Sequence, residues 1–152
     1  GDGVRIFAKE YNIPIAGLNS SGQIETPGTS CDTVGAVAFD GRTFAAALSS
    51  GGLEKSAIGR VGDVPLPGCG LFCGPSGAVA CTGDGESIAL KLLAKEVYTW
   101  LENSMNPDEA EHKAITLFDQ RVDIGLIILT RNEFASKARN GMPWSHITES
   151  KY

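Results

Sequence analysis

The most informative absences in this 152-residue chain are those of basic blocks and of long apolar runs. The 18 acidic residues outnumber the 13 basic ones, the net charge is −5, and no long basic block is present. A nucleic-acid partner is therefore not expected. The apolar run at residues 126–129 is far too short to cross a bilayer, and the first residues lack the basic-then-apolar pattern of a signal peptide. The sequence predicts no membrane contact.

Histidine and paired cysteine are also scarce. The two histidines, His112 and His146, have no motif around them, and the cysteines at 31, 69, 73 and 81 lack the CxxC pairs of a zinc site. We expect no metal, reduced thiols and an intracellular location, either cytoplasmic or nuclear. A Cys–His catalytic pair has no support, because Cys81 lies in a run of small residues typical of packed core.

The apolar pattern divides the chain into two regions. Residues 3–12 have helical spacing, and residues 15–32 are rich in Ser, Gly, Thr and Pro, which predicts a short helix followed by a flexible linker. From residue 33 to 152 we predict strands over 33–39, 44–48, 77–81 and 122–130, and helices over 86–102 and 106–120. Helices segregated against a sheet indicate an α+β fold.

Thr33 is the first candidate for chemistry. The turn Asp40-Gly41 between the first two strands would place Thr33 and Ser50 at the same end of a hairpin. A lone threonine at the start of a strand is usually structural. If the peptide bond before it is cut, however, the freed amino group, with a pKa of roughly 7.7–8.0, can take the hydroxyl proton without a histidine. The exposed linker that ends at Asp32 invites such a cut.

Two further loops carry candidate groups. Arg60 and Asp63 lie three residues apart in a glycine-rich loop, where they form either a local salt bridge or a clamp for a carboxylate and an ammonium group. Thr82 and Gly83 precede a helix, so a backbone N–H can face a developing oxyanion. The acids and the missing lysine in the motif Thr82-Gly83-Asp84-Gly85-Glu86 argue against a nucleotide loop. No cofactor is expected.

Four motifs in this order resemble one known family. They are Thr33-Val34-Gly35-Ala36-Val37, Ser49-Ser50-Gly51-Gly52, Gly59-Arg60-Val61-Gly62-Asp63 and Thr82-Gly83-Asp84-Gly85-Glu86. They are similar to the β subunit of the N-terminal-nucleophile (Ntn) threonine hydrolases, which include plant-type asparaginases, isoaspartyl peptidases, glycosylasparaginases and taspase. The resemblance covers most of residues 33–130.

The resemblance implies an αββα sandwich and autoproteolysis between Asp32 and Thr33. It makes Thr33 the nucleophile, its amino group the base and Ser50 the supporting hydroxyl. It also implies that Arg60 holds the substrate carboxylate, and that Thr82 with Gly83 forms the oxyanion hole.

Within the family, two features resemble taspase: the serine at position 50 and the segment 144–150. The main prediction is therefore an endopeptidase that cleaves after aspartate. Asp63 favours the alternative, an asparaginase or β-aspartyl peptidase or a glycosylasparaginase-like amidohydrolase, because in asparaginases it holds the free α-amino group of the substrate. A non-catalytic binding relative is the alternative from another class.

The family's first half has no counterpart in these 152 residues, which begin at Gly1 without methionine. Residues 1–32 resemble only the end of an α subunit. We therefore expect a fragment, inactive and poorly soluble alone, whose partner is its own α-subunit half in an αβ heterodimer or (αβ)2 assembly. The expected substrate is a protein or an aspartyl or asparaginyl compound.

Overall fold

A computed structural model describes residues 32–53 and 60–148, together with Lys9 and Asn12. The chain divides into two compact units, residues 1–31 with 53–60 and residues 32–52 with 61–152. The predicted helix 3–12 and linker 15–32 lie outside the described residues except at Lys9, Asn12 and Asp32. Every strand and helix named below belongs to the second unit.

The predicted hairpin is confirmed. Strands β1 (Thr33–Phe39) and β2 (Phe44–Ser50) are antiparallel, and their register pairs Thr33 with Ser50. The turn is held by the carboxylate of Asp40, which accepts hydrogen bonds from the backbone N–H groups of Arg42 and Thr43 at 2.8 and 2.7 Å. Because the turn sets the register, it also decides which side chain faces Thr33.

A second, four-stranded sheet has the order β3-β4-β5-β6 and is antiparallel throughout. Its strands are Leu71–Gly74, Gly77–Gly83, Ile124–Leu129 and Phe134–Ala138. β4 and β5 were predicted, but β3 and β6 were not. β3 has only 4 residues and β6 carries Ser and Lys, so neither shows a strong apolar pattern of its own. Pairing with β4 and β5 makes them strands.

Three helices follow β4 in the chain: α1 (Gly85–Lys91), α2 (Leu93–Glu102) and α3 (Pro107–Thr116). The single helix predicted over 86–102 is wrong, because Leu92 adopts a left-handed conformation, φ +48°, that separates α1 from α2. The start predicted for α3 is confirmed, since the Asn106 side chain accepts from the Glu109 N–H at 2.8 Å. In the described ranges no helix is long and apolar enough to cross a membrane.

The elements form layers. The helices cover one face of the four-stranded sheet, where Val79, Ile124, Leu126 and Ile128 are buried in the core. The hairpin contacts β3, β4 and β5, on the sheet's other face. On the outer side of the hairpin Val34 is 68% exposed. The predicted α+β class is confirmed, with three of the four layers of an αββα sandwich in the described residues.

Arg139, just after β6, ties this edge strand to the end of α3. Its guanidinium donates to the backbone carbonyls of Ile115, Phe118 and Val122 at 2.9, 3.2 and 2.9 Å, and to that of Asp119. These carbonyls lie at or beyond the end of α3 and have no partner within the helix, so the guanidinium supplies a donor to each. Its positive charge also interacts favourably with the negative end of the helix dipole. The contact fixes where the following residues, 140–148, leave the sheet.

Candidate active site

The hydroxyl groups of Thr33 and Ser50 are hydrogen-bonded. Thr33 Oγ1 donates to Ser50 Oγ at 2.8 Å, and Ser50 Oγ also accepts from the backbone N–H of Gly52 at 3.0 Å. The hairpin register produces this pair, because directly opposed residues of antiparallel strands project to the same face. Ser50 is therefore positioned to hold the Thr33 hydroxyl in one orientation.

The peptide bond before Thr33 is held on both sides. The carbonyl oxygen of Asp32 accepts from the N–H of Gly51 at 3.0 Å, and the N–H of Thr33 donates to Asp32 Oδ1 at 2.8 Å. A hydrogen bond to a carbonyl oxygen stabilises the negative charge that develops there when a nucleophile attacks. The Gly51 N–H therefore lies where it can stabilise a negative charge on the Asp32 carbonyl oxygen.

Thr33 lines a cavity of about 620 Å³. This volume lies within the range of small-molecule sites, roughly 300–1,000 Å³. Its wall includes Asp32, Thr33, Gly35 and Leu48 from the hairpin side, Ala80 and Thr82 from β4, Gly125 and Ile127 from β5, Ser136 and Ala138 from β6, and residues 142–145 of the tail. The cavity therefore extends along the face of the large sheet from β4 to beyond β6.

Thr82 and Gly83 lie at the end of β4. Thr82 lines the same cavity as Thr33, and Gly83 has φ +136°. The next residue, Asp84, stabilises the start of α1, because its carboxylate accepts from the Ser87 N–H at 2.8 Å and caps the helix. The Asp84 cap therefore satisfies an N–H group in the first turn of α1. The donors predicted for the oxyanion are the N–H groups of Thr82 and Gly83.

The two residues of the predicted substrate-binding pair belong to different compact units. Arg60 belongs to the first unit, so its position beside Thr33 stays a prediction. Asp63 belongs to the second, is 5% exposed, and its backbone carbonyl accepts from the N–H groups of Leu66 and Gly70, each at 3.1 Å. It is not among the described residues that line the cavity.

The cysteines and histidines are the remaining candidate groups of the sequence. The Cys81 side chain is buried in the core, and burial, reinforced by the charge of Asp63, raises the pKa of its thiol. Cys69, Cys73 and Cys81 form no disulfides. His112 is exposed, and the ring of His146 lies 4.2 Å from that of Phe134 between centroids. The described part of the chain contains no cluster of metal-ligating side chains.

Sequence reasoning missed the wall made by β6 and the tail. Ser136, Met142 and Trp144 line the cavity, although they lie more than 100 residues from Thr33 in the chain. The only sequence signal in this region is the apolar cluster Met142-Pro143-Trp144, which stands in a mostly polar tail. It indicates burial, but it does not say against which surface.

A layered α+β fold with Thr33 at the head of an inner strand is the arrangement of the Ntn-hydrolase superfamily. A profile of the asparaginase family, Asparaginase_2, matches residues 8–152. The chain belongs to this family.

Several relatives carry related names. The plant-type L-asparaginase of Pyrococcus furiosus is 36% identical over 120 residues, covering 76% of this chain and 39% of that protein. The isoaspartyl peptidase/L-asparaginase of Xenopus laevis is 35% identical over 125 residues, covering 78% and 40%. The plant-type L-asparaginase of Pyrococcus horikoshii is 40% identical over 94 residues, covering 61% and 30%.

The chain thus spans 30–40% of the length of these relatives. Their names are those of hydrolases, and they agree with the alternative activity predicted from the sequence. They give no support to the main prediction, an endopeptidase that resembles taspase.

Proposed function

We propose that this chain carries the nucleophile of a self-processing threonine hydrolase that cleaves the side-chain amide of L-asparagine and the isopeptide bond of β-aspartyl peptides. One observation carries the proposal: the Thr33 hydroxyl is hydrogen-bonded to Ser50 at 2.8 Å while Gly51 holds the carbonyl that precedes Thr33. The named activities of the relatives from Pyrococcus furiosus and Xenopus laevis support this choice of substrates.

The first step is the cut between Asp32 and Thr33. The Thr33 hydroxyl oxygen attacks the Asp32 carbonyl carbon, the carbon–nitrogen bond breaks, and the hydroxyl proton moves to the nitrogen, leaving an ester. The Gly51 N–H, 3.0 Å from the carbonyl oxygen, stabilises the negative charge that forms during attack. Water then hydrolyses the ester, which releases the Asp32 carboxylate and the free amine of Thr33.

The second reaction uses the same hydroxyl on a substrate. The Thr33 amine, with a pKa of roughly 7.7–8.0, takes the hydroxyl proton at neutral pH and returns it to the leaving nitrogen. The aspartyl group becomes an ester of Thr33 and is then released by water. The N–H groups at Thr82 and Gly83 stabilise the oxyanion, while Arg60 and Asp63 hold the α-carboxylate and α-amino groups.

A partner half completes the proposed enzyme. The outer face of the hairpin exposes Val34 and the alanines 36, 38, 45 and 47, a row of apolar side chains on one side of a two-stranded sheet. In addition, the chain matches at most 40% of the length of the relatives cited above. An α-subunit half that packs on this face, in an αβ or (αβ)2 assembly, removes the apolar surface from water.

Mass spectrometry of the full-length protein tests self-processing. The wild type should yield a fragment that begins at Thr33, and Thr33→Ala should remain uncut. Ser50→Ala should slow the cut, whereas Ser49→Ala should process normally, because it removes the same hydroxyl from the opposite face of β2. An uncut wild type, or equal rates in the two serine variants, would contradict the proposed site. An uncut wild type that folds would instead favour the non-catalytic relative.

The aspartyl endopeptidase remains a second candidate, favoured by the serine at position 50 and by the position of Asp63 outside the cavity wall. Asp63→Asn separates the two activities while keeping the volume of this buried side chain. An enzyme that binds free asparagine should lose affinity for it, since the amide no longer balances the ammonium charge. Retained asparaginase activity would remove Asp63 from substrate binding.

A further inference from the structure

The cavity lies on the β5–β6 flank of β4, the strand that carries Thr82, and no described residue of the β3 flank lines it. On the β3 flank, the Gly70 N–H donates to the Asp63 carbonyl at 3.1 Å, and the Gly70 carbonyl accepts from the Cys81 N–H at 2.7 Å. The predicted aspartyl-binding carboxylate is thus attached to the β3 side. On the β5–β6 flank the wall is the tail 142–145. A substrate whose aspartyl part lies towards β3 directs its leaving group towards β5 and β6.

Met142 is the first tail residue on the leaving-group flank. A Cβ atom added to Gly125 would be 2.5 Å from Met142 Sδ and 3.2 Å from the Cβ of Ala138. Gly125 pairs with Thr82 on one side and with Ala138 on the other. The thioether therefore lies over the strand adjacent to Thr82, and the absence of a side chain at Gly125 makes room for it.

Ser136 and Trp144 continue this wall. The Ser136 hydroxyl is buried and has no hydrogen-bond partner among the described residues, and Ser136 lines the cavity. The Trp144 ring is 53% exposed and lies 6.2 Å from the ring of Phe134 and 5.8 Å from that of His146 between centroids. The wall thus offers an aromatic surface, a thioether and one hydroxyl that is ready to bond.

The wall carries no charge available to a ligand within its described part. Lys137 is its one basic residue, and the Lys137 Nζ lies 3.3 Å from Glu111 Oε1. Glu111 is on α3, on the helix side of the sheet. A charged side chain on the leaving residue would find no partner here and would lose hydration, whereas an apolar side chain gains contact.

We infer that residues 136, 142 and 144 form a subsite for the residue that follows the scissile bond, and that it prefers an apolar, above all aromatic, side chain. This inference rests on the proposed function. Neighbouring strands are about 4.8 Å apart, so β6 lies roughly 10 Å from β4. The ammonia released from asparagine leaves this wall uncontacted, while an amino acid residue, which spans about 3.5 Å along the chain plus its side chain, reaches it. The Ser136 hydroxyl binds a main-chain polar group of that residue.

The test compares kcat/KM for β-aspartyl-phenylalanine, β-aspartyl-glycine and asparagine in the processed full-length enzyme. Trp144→Ala should lower the value for the phenylalanine substrate by roughly three- to tenfold, the range expected for a lost aromatic pair, and should lower the values for the other two substrates by less. Ile147→Ala is the matched control, because Ile147 is 94% exposed and is not among the cavity-lining residues. It should change none of the three.

Equilibrium binding of L-phenylalanine, the leaving product, is the second measurement. Trp144→Ala should weaken it and Ile147→Ala should not. If wild type and Trp144→Ala hydrolyse the three substrates with the same ratios of kcat/KM, the subsite is refuted and the proposed function stays intact. If no substrate is hydrolysed, the proposed function fails and the subsite that rests on it is refuted as well.

Discussion

Replacement of Gly83 by alanine should strongly destabilise the protein. Gly83 ends β4 with φ +136°, a conformation that residues with a side chain rarely adopt. An added Cβ would overlap the backbone carbonyl oxygen of Asp123 and lie 2.9 Å from the Cα of Ile124. Both obstacles are backbone atoms of the neighbouring chain segment, so no side-chain rotation relieves them.

The expected cost has two parts. The unfavourable backbone conformation costs about 1–2 kcal/mol, and forcing apart packed backbone costs about 1–3 kcal/mol. Together they lower the free energy of unfolding by about 2–5 kcal/mol. Gly41→Ala is the matched control, because Gly41 has φ +90° but no atom lies within 4 Å of the added Cβ. It should lose only the conformational part, about 1–2 kcal/mol.

Urea unfolding of the full-length variants measures both values. Both glycines have a φ that residues with a side chain rarely adopt, +136° and +90°, so an excess loss in Gly83→Ala over Gly41→Ala reports mainly the close approach of β4 to Asp123. Equal losses in the two variants would refute the reasoning. Below its unfolding temperature Gly83→Ala should also have a reduced kcat, because a shifted backbone misplaces the N–H groups proposed for the oxyanion.

Two further predictions concern fixed contacts of the scaffold. Arg139→Ala should lower the free energy of unfolding by about 2–4 kcal/mol, since four carbonyls lose a charged donor and those of Ile115 and Asp119 keep only a backbone N–H. Arg121→Ala, which removes a pair whose arginine side chain is 91% exposed, should cost about 0–1 kcal/mol. Similar losses in chemical denaturation would contradict this. The hydrogen bonds from the N–H groups of Thr43 and Arg42 lower the pKa of Asp40. A lowered pKa stabilises the fold above about pH 4, and this contribution is lost as the pH falls through the pKa of the folded state. Asp40→Asn should therefore flatten the dependence of the unfolding free energy on pH in this acidic range. An ordinary carboxyl pKa for Asp40 in an NMR titration would refute the prediction.

The hairpin and α3 show how far local signals reach. Asp40-Gly41 specifies a turn, and with the turn comes the register that pairs Thr33 with Ser50. Asn106 and Pro107 specify a helix start in the same way, because the cap satisfies an N–H only three residues away. In each case the interacting groups are close in the chain, so the sequence alone predicts the contact.

Leu92 and β6 show where local signals fail. The apolar spacing of residues 86–102 fits one helix, and no glycine or proline marks the break at Leu92. The turn there lets both α1 and α2 bury residues on the sheet, Ile88 in one and Leu93 in the other, which is a requirement of packing. β6 likewise is a strand because β5 offers an open edge, a fact absent from its own five residues.

By itself the sequence predicted the hairpin that pairs Thr33 with Ser50, the family and the α+β class, because motifs and turns act over short distances and their chemistry is that of the residues themselves. Only the tertiary structure placed the tail against the β5–β6 face and put Asp63 on the β3 flank. These positions follow from sheet order and close packing between segments many residues apart. For that reason Thr33 was predictable from sequence, while the wall opposite it, with Ser136, Met142 and Trp144, was not.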